Sequence, residues 1–264
     1  MLIVGERINT SRKSIAEATE KRDSAFILAE AKAQEEAGAH LIDVNAGTFA
    51  EKEKEQLLWL IDALHGELSV PLCIDSSDPD VVSEALNMCG EESMVNSITA
   101  EQEKYRAILP LIRERSSKVV ALFLDDEGVP DDLQKKLTVG FGLLDNLLED
   151  GIEPENIYAD PLAMAISTTR DGGTATLKTI QEIRDRYLDI HIITGLSNIS
   201  FGVPVRSLLN KTFLAMAMTV GLDAVIIDPL DRRVMASLLA ANAILGKDLF
   251  CREYLTAYRN KKLE

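Results

Sequence analysis

The chain has 264 residues, 46% of them hydrophobic and 27% charged, which suits a globular protein able to bury a sizeable core. Its formal net charge of −15, from 43 acidic against 28 basic residues, repels a phosphate backbone and excludes nucleic acid as a partner. The lack of any apolar run of roughly 18 residues excludes a membrane span.

The first apolar run, 2–8, reads as a buried strand, and MLIVGERIN lacks the basic and long apolar regions of a signal peptide. Residues 24–37 place apolar side chains at i, i+3, i+4 spacing, a helix ending at Gly38 as C-cap. A strand at 40–45 and a helix at 51–64, before Gly66, follow. The strand at 70–75 leads through Asp78, a cap ahead of Pro79, into a helix at 79–89. A strand at 93–97 precedes a helix at 100–114 capped by Thr99. Then come a strand at 118–124, a helix at 131–149 with Gly140 and Gly142 as packing glycines, and a strand at 156–162. The helix at 175–187, the strand at 191–197, the helix at 206–220, the strand at 224–228 and helices at 231–245 and 251–261 complete the chain.

Near-continuous apolar strands mean burial on both faces, as in a parallel sheet covered by helices. Eight such strands alternating with helices predict the α/β class, a (β/α)8 TIM barrel forming a single domain over 1–264. A doubly wound open sheet is the alternative, and no Gly-rich phosphate fingerprint follows strand one. No Pro/Ser-rich linker interrupts the pattern. Cys73, Cys89 and Cys251 have no CxxC spacing, which argues for reduced cytoplasmic thiols and against a disulfide framework or a zinc site.

In a TIM barrel the active site is built at the C-terminal ends of the strands. Here those ends carry Glu6, Arg7 and Asn9; Asp43 and Asn45; Asp75; Asn96; Asp160; Ser197 and Asn198; and Asp228. Only strand five is poor, with Asp125 and Asp126 beyond its apolar run. Asp, Asn and Ser also start turns and cap helices, so any single one of them has a bland reading. Asp75 and Asn96, however, fall inside the strand pattern. Carboxylates accept hydrogen bonds and amides both donate and accept. Such a set suits a flat heterocycle with adjacent N–H donors, of the aminopyrimidinone type. Mg²⁺ held by hard oxygen ligands is the other reading of the same residues. No lysine lies at a strand end, and His40, His65 and His191 sit at strand starts or in a helix, so Schiff-base, serine-triad and zinc chemistry lack support.

GERIN (5–9), DVNAG (43–47), CIDSS (73–77), VNS (95–97), ADP (159–161), GLSNIS (195–200) and NKTFLAMAM (210–218) occur in this order. The series resembles the methyltetrahydrofolate:corrinoid-protein methyltransferases of the pterin-binding barrel superfamily. That superfamily also holds dihydropteroate synthase and the folate domain of cobalamin-dependent methionine synthase. The resemblance covers almost the whole chain. It implies methyl transfer between N5 of methyltetrahydrofolate and a corrinoid (cobalamin) carried by a separate protein. It puts pterin hydrogen bonds on Asp75, Asn96 and Asp160. Asn198 is implied near N5 as the catalytic group, with Gly195 and Ser197 of the same motif expected at the substrate, and Arg206 near the folate. Glu6, at the end of strand one, is added to the pocket. A homodimer is expected, serving acetogenesis by acetyl-CoA synthesis, or demethylation of methylamines or, as O-demethylation, of methoxylated aromatics. No resident metal is implied.

Two departures stand out: Phe201 at the rim, and the acidic stretch LFLDDEG (122–128) near strand five, where a partner could approach. DIHIITG (189–195) resembles the corrinoid-binding DxHxxG signature, but it fits strand seven, so the chain itself is not expected to hold the corrinoid. A dihydropteroate synthase-like enzyme is a second reading, weakened by the missing lysine near strand seven. A non-catalytic folate-binding subunit is a third.

Overall fold

The computed structural model describes residues 1–90, 92–130 and 132–263. Eight parallel strands run in the order β7-β6-β5-β4-β3-β2-β1-β8. They are β1 (Leu2–Asn9), β2 (Leu41–Asn45), β3 (Leu72–Asp75), β4 (Met94–Thr99), β5 (Lys118–Leu122), β6 (Ile157–Asp160), β7 (His191–Ile192) and β8 (Ala224–Ile227). The ends of this sheet meet through a bridge between Gly195 and Ile226, with the Ile226 N–H donating to Thr194 O at 3.0 Å. The sheet therefore curls into a TIM barrel.

Around it lie α1 (Lys13–Glu20), α2 (Ser24–Glu36), α3 (Glu53–Leu64), α4 (Pro79–Met88), α5 (Gln102–Arg115), α6 (Leu133–Glu149), α7 (Gly172–Arg186), α8 (Arg206–Thr219), α9 (Arg232–Ile244) and α10 (Arg252–Arg259). Alternate strand residues face them. Ile42, Val44, Ile74, Val95, Val119, Ala159 and Val225 belong to the large core between strands and helices. The other face of each strand points inward. Val4, Leu41, Cys73, Met94, Val120, Tyr158, Ile193, Ala224 and Ile226 form a separate cluster, with members from seven strands and from Ile193 just after β7, the floor of the barrel interior.

Two bulges shape the mouth. Between Gly5 and Ile8, β1 carries one residue more than β2 opposite, and β4 does the same against β5 between Asn96 and Ile98. The first bulge leaves the Arg7 N–H to donate to Gln34 Oε1 at 2.9 Å. Gly5 is required beside it, because a Cβ there would lie 2.5 Å from Gln34 Oε1.

Several expectations need correction. Helix α1 is absent from the sequence reading: it is short, and buries only Ile15, Ala18 and Thr19. The strand expected over 191–197 pairs regularly only at His191 and Ile192, because the chain then turns through a 3-10 segment at Leu196–Ser200. Thr99 does not cap α5. Glu101 is the N-cap, with no side-chain capping bond; its carboxylate accepts from the Thr99 hydroxyl at 2.9 Å, and its N–H reaches Thr99 Oγ1 at 3.4 Å. Asp78 does cap α4, accepting from the Asp80 N–H at 2.9 Å. Gly140 is a packing glycine, since a Cβ would lie 2.0 Å from the Phe123 ring, whereas Gly142 faces open space. The Asp131 end of the sixth predicted helix lies outside the described residues, and α6 begins at Leu133 with Asp132 capping it.

Candidate active site

The interior has two storeys. Two residues beyond each floor residue, the same inward face of the strand is reached again. From Val4 that position is Glu6, from Leu41 Asp43, from Cys73 Asp75, from Met94 Asn96, from Tyr158 Asp160 and from Ile193 Gly195. Period two thus lifts a ring of polar groups directly above an apolar floor. These residues, together with Leu122 two beyond Val120, line one cavity of about 370 Å³ at the C-terminal mouth. Its base includes Ile226, and Asn198 stands at its side. Of the sequence candidates, Glu6, Asp75, Asn96, Asp160, Gly195 and Asn198 are therefore brought together.

Ser197 and Arg206 are not in the lining. The Ser197 hydroxyl donates to Glu6 Oε1 at 2.7 Å. Arg206 braces the turn after β7, donating from Nε to Ser200 Oγ at 3.0 Å and from NH2 to Ser197 O at 2.6 Å. Asp228 is also outside, held by Arg7 at 2.8 Å and by Arg12 at 3.1 Å. The exposed Phe201 follows the turn at the rim. The acidic stretch after β5 lines a second cavity of about 350 Å³, which shares Ser77, Ser97 and Leu122 with the first.

The sequence reading named Asp43 at a strand end but left it out of the site. Counting two residues on from an inward apolar position would have found it. Asp43 is 2% exposed and accepts from Asn96 Nδ2 at 3.3 Å. Burial pushes its carboxyl well above the ordinary range, and the adjacent Asp75 charge adds to this. Burial also raises Asp75, against the pull of a hydrogen bond from Asn45. Asp160 is pushed up to about 6 by burial, opposed by the Leu162 N–H, which donates to its Oδ1 at 2.7 Å, and by the Lys136 charge. Burial raises Glu6 too, offset in part by Ser197. Burial and then the nearby Asp43 and Asp75 keep the Cys73 thiol protonated and inert.

Four acids crowd a desolvated mouth whose nearby guanidinium groups are already engaged elsewhere. Such a mouth is rich in acceptors, and a neutral ring bearing N–H groups would donate to them. Among the described residues, no group of three or more His, Cys, Asp or Glu side chains is arranged to hold a metal ion, and no helix is long and apolar enough to cross a membrane. At Gly195 a Cβ would lie 3.4 Å from Asn198 Nδ2, so the absent side chain leaves that amide room at the cavity wall.

Known proteins resemble this chain in sequence and in fold. Residues 5–228 match the family described as pterin binding enzyme. The chain is 38% identical to a methylcorrinoid:tetrahydrofolate methyltransferase of Eubacterium limosum, over 100% of this chain and 98% of that one. It is 30% identical to the methionine synthase of Mycobacterium tuberculosis over 86% of this chain but only 20% of that much longer protein. The structure of dihydropteroate synthase from Xanthomonas albilineans in complex with 7,8-dihydropteroate superposes with a TM-score of 0.73 at 15% identity, covering 92% of this chain and 93% of that one, a likeness of fold. The polar ring above an apolar floor thus sits in a chain that belongs to the pterin-binding enzyme family.

Proposed function

We propose that this protein moves a methyl group between N5 of tetrahydrofolate and the cobalt of a corrinoid carried by a separate protein. The observation that carries the proposal is the set of inward acceptors, Asp75, Asn96 and Asp160, each two residues beyond a floor residue and lining one cavity. The full-length similarity to a methylcorrinoid:tetrahydrofolate methyltransferase supports it. The barrel, residues 1–264, acts as one pterin-binding unit.

In this reading Asp75 and Asp160 accept the N–H groups of the pterin, and Asn96 both donates and accepts. Burial that is costly to the empty carboxylates makes their bonds to the ring strong, because they are charge-assisted and shielded from water. Leu122 and Ile226 give the ring apolar contact. Asn198 reaches N5 from the wall. In the direction that the relative's name gives, the methyl group arrives on N5 as the N5 proton leaves. In the reverse direction, N5 takes up a proton as its bond to the methyl carbon breaks. An amide cannot store the proton, but its dipole stabilises the charge that develops on N5. Gly195 keeps that wall open, Ser197 and Arg206 hold the turn that carries Asn198, and Glu6 completes the rim.

A pyrophosphate-releasing reaction is less well served. Arg7 and Arg12 are paired with Asp228, and Arg206 is committed to the turn. In the direction chosen, the enzyme serves demethylation, collecting methyl groups from a methylated corrinoid protein, rather than acetogenesis. We place it in the cytoplasm as a homodimer, supported by the exposed apolar residues Leu208 and Met216 on α8 and Ile244 on α9.

The test is anaerobic mixing of the protein with methyltetrahydrofolate and free cob(I)alamin, followed by absorbance. Protein-dependent loss of the Co(I) band with growth of the methyl-Co(III) band is expected. Folate binding without turnover, even with a range of corrinoid proteins, would instead make the barrel a non-catalytic folate-binding subunit.

A further inference from the structure

One buried charge has no part in the mechanism above. The inner stripe of α6 consists of Lys136, Gly140, Leu143, Leu144 and Leu147, and Lys136 is only 3% exposed. A lysine in an otherwise apolar stripe is costly unless its ammonium is satisfied. It reaches the top of β6, where Nζ donates to Leu162 O at 3.1 Å. Leu162 is held at its other end by Asp160, which accepts its N–H at 2.7 Å. The residue so clamped has a φ of 53°, in the left-handed region where a leucine is rarely found.

We propose that Lys136 is a positioning residue for the site: its buried ammonium clamps the Asp160–Leu162 turn and keeps Asp160 an anion aimed into the mouth. The inference rests on the reading of Asp160 as a pterin acceptor. Thr194 and Gly195 also favour the charged form of Asp160, but as neutral groups; Lys136 supplies the positive charge beside it. Beside Asp160, β5 presents Leu122, and β7 continues into Thr194 and Gly195. The buried face of α7 is Gly172, Thr176, Thr179, Ile180 and Ile183, none of which titrates. Asp132 lies beside Lys136 but caps α6, and Lys135 is paired with Glu127 at the surface. The remaining acids of the mouth, Glu6, Asp43 and Asp75, belong to β1, β2 and β3 and carry the same sign as Asp160. Attraction between Lys136 and Asp160 favours the charged form of each, against the burial that disfavours it.

The test is a carbon-13 titration of the aspartate carboxyls in the ligand-free protein, with Asp160→Asn identifying the Asp160 resonance. Lys136→Met should fold, since an apolar side chain of similar length joins an apolar stripe. Its Asp160 midpoint should rise measurably above that of the wild type. Lys136→Arg should stay close to the wild type. Lys136→Gln keeps a donor for Leu162 O without the charge and should behave as Lys136→Met. It also provides the neutral variant if methionine is not tolerated. Folate affinity at pH 7 should fall in both neutral variants and recover in alkali. An unmoved Asp160 midpoint in the neutral variants overturns the proposal, whatever their melting temperature. A wild type that binds no folate at any pH would sink the functional reading, while the carboxyl titration would still decide the role of Lys136.

Discussion

The Ser197 hydroxyl donates to the Glu6 carboxylate at 2.7 Å, tying the turn after β7 to the end of β1. Between these strands lies β8, which meets the β7 segment through the bridge at Gly195 and a backbone bond from the Asp223 N–H, just before β8, to Ile192 O at 3.2 Å. The bond therefore crosses the most weakly paired part of the barrel, and it connects the segment bearing Asn198 to the rest of the mouth.

Ser197→Ala should cost about 1 kcal/mol of stability, as is usual for one hydrogen bond. It should also raise the proton affinity of Glu6 further, since the lost bond favours the charged form. Thermal melts and a carbon-13 titration of the glutamate carboxyls read the two effects. A Glu6 titration identical to the wild type would mean that the bond does not form in solution.

Asp75→Ala should weaken folate binding by about 1.5–3 kcal/mol, the range for a hydrogen bond to a charged group. That is roughly a 10- to 100-fold rise in Kd by calorimetry. Unchanged binding would remove Asp75 from the pterin contacts.

Asn198→Ala should lower kcat by about 100-fold or more, as when one donor to a developing charge is lost. Its folate Kd should change little, since Asn198 acts when N5 changes charge. Single-turnover rates and equilibrium binding, measured side by side, distinguish this from a purely affinity-level role.

The pH dependence follows from Asp160, which takes up a proton near pH 6 in the folded chain. Folate binding should weaken as pH falls through about 6, because a protonated carboxyl no longer accepts as an anion. Stability without ligand runs the other way. The folded pKa lies above the unfolded value of about 3.9, so the native state binds the proton more tightly. The resulting stabilisation is complete below the unfolded value and is lost as pH rises through about 6. Asp160→Asn removes this loss and should melt higher than the wild type at pH 8, by about 1–3 kcal/mol, while binding folate worse. A lower melting point at pH 8 would contradict the burial cost assigned to the carboxylate.

Gly140→Ala should destabilise by about 1–3 kcal/mol through overpacking against Phe123. Gly142→Ala, which meets nothing within 4 Å, should instead stabilise α6 by up to about 1 kcal/mol. Calorimetric melts of the two variants should move in opposite directions.

These two glycines show where the sequence stops being legible. Both sit in one helical pattern, and periodicity treats them alike. What separates them is Phe123, a residue on another segment whose position only the folded chain reveals. The strands were readable because burial on both faces makes them continuously apolar. Strand seven was overextended because Ile193 and Thr194 remain buried after regular pairing has stopped. Asp75, Asn96 and Asp160 were readable because each interrupts an apolar run at its end. Asp43 lies within its strand and takes its meaning from the inward face it shares with Leu41. Lys136 gave no signal, since a lysine within a helix is ordinarily a solvated one.

The floor of the barrel has a further consequence. Val4, Cys73, Met94, Val120, Ile193 and Ala224 are wholly buried beneath the acids. Among the described residues they bar water from entering below, so protons reach Glu6, Asp43, Asp75 and Asp160 from the open end. In the proposed reaction, the proton that N5 gains or loses would then have to pass through the opening by which the corrinoid protein approaches, or be held by one of these four acids while that opening is covered.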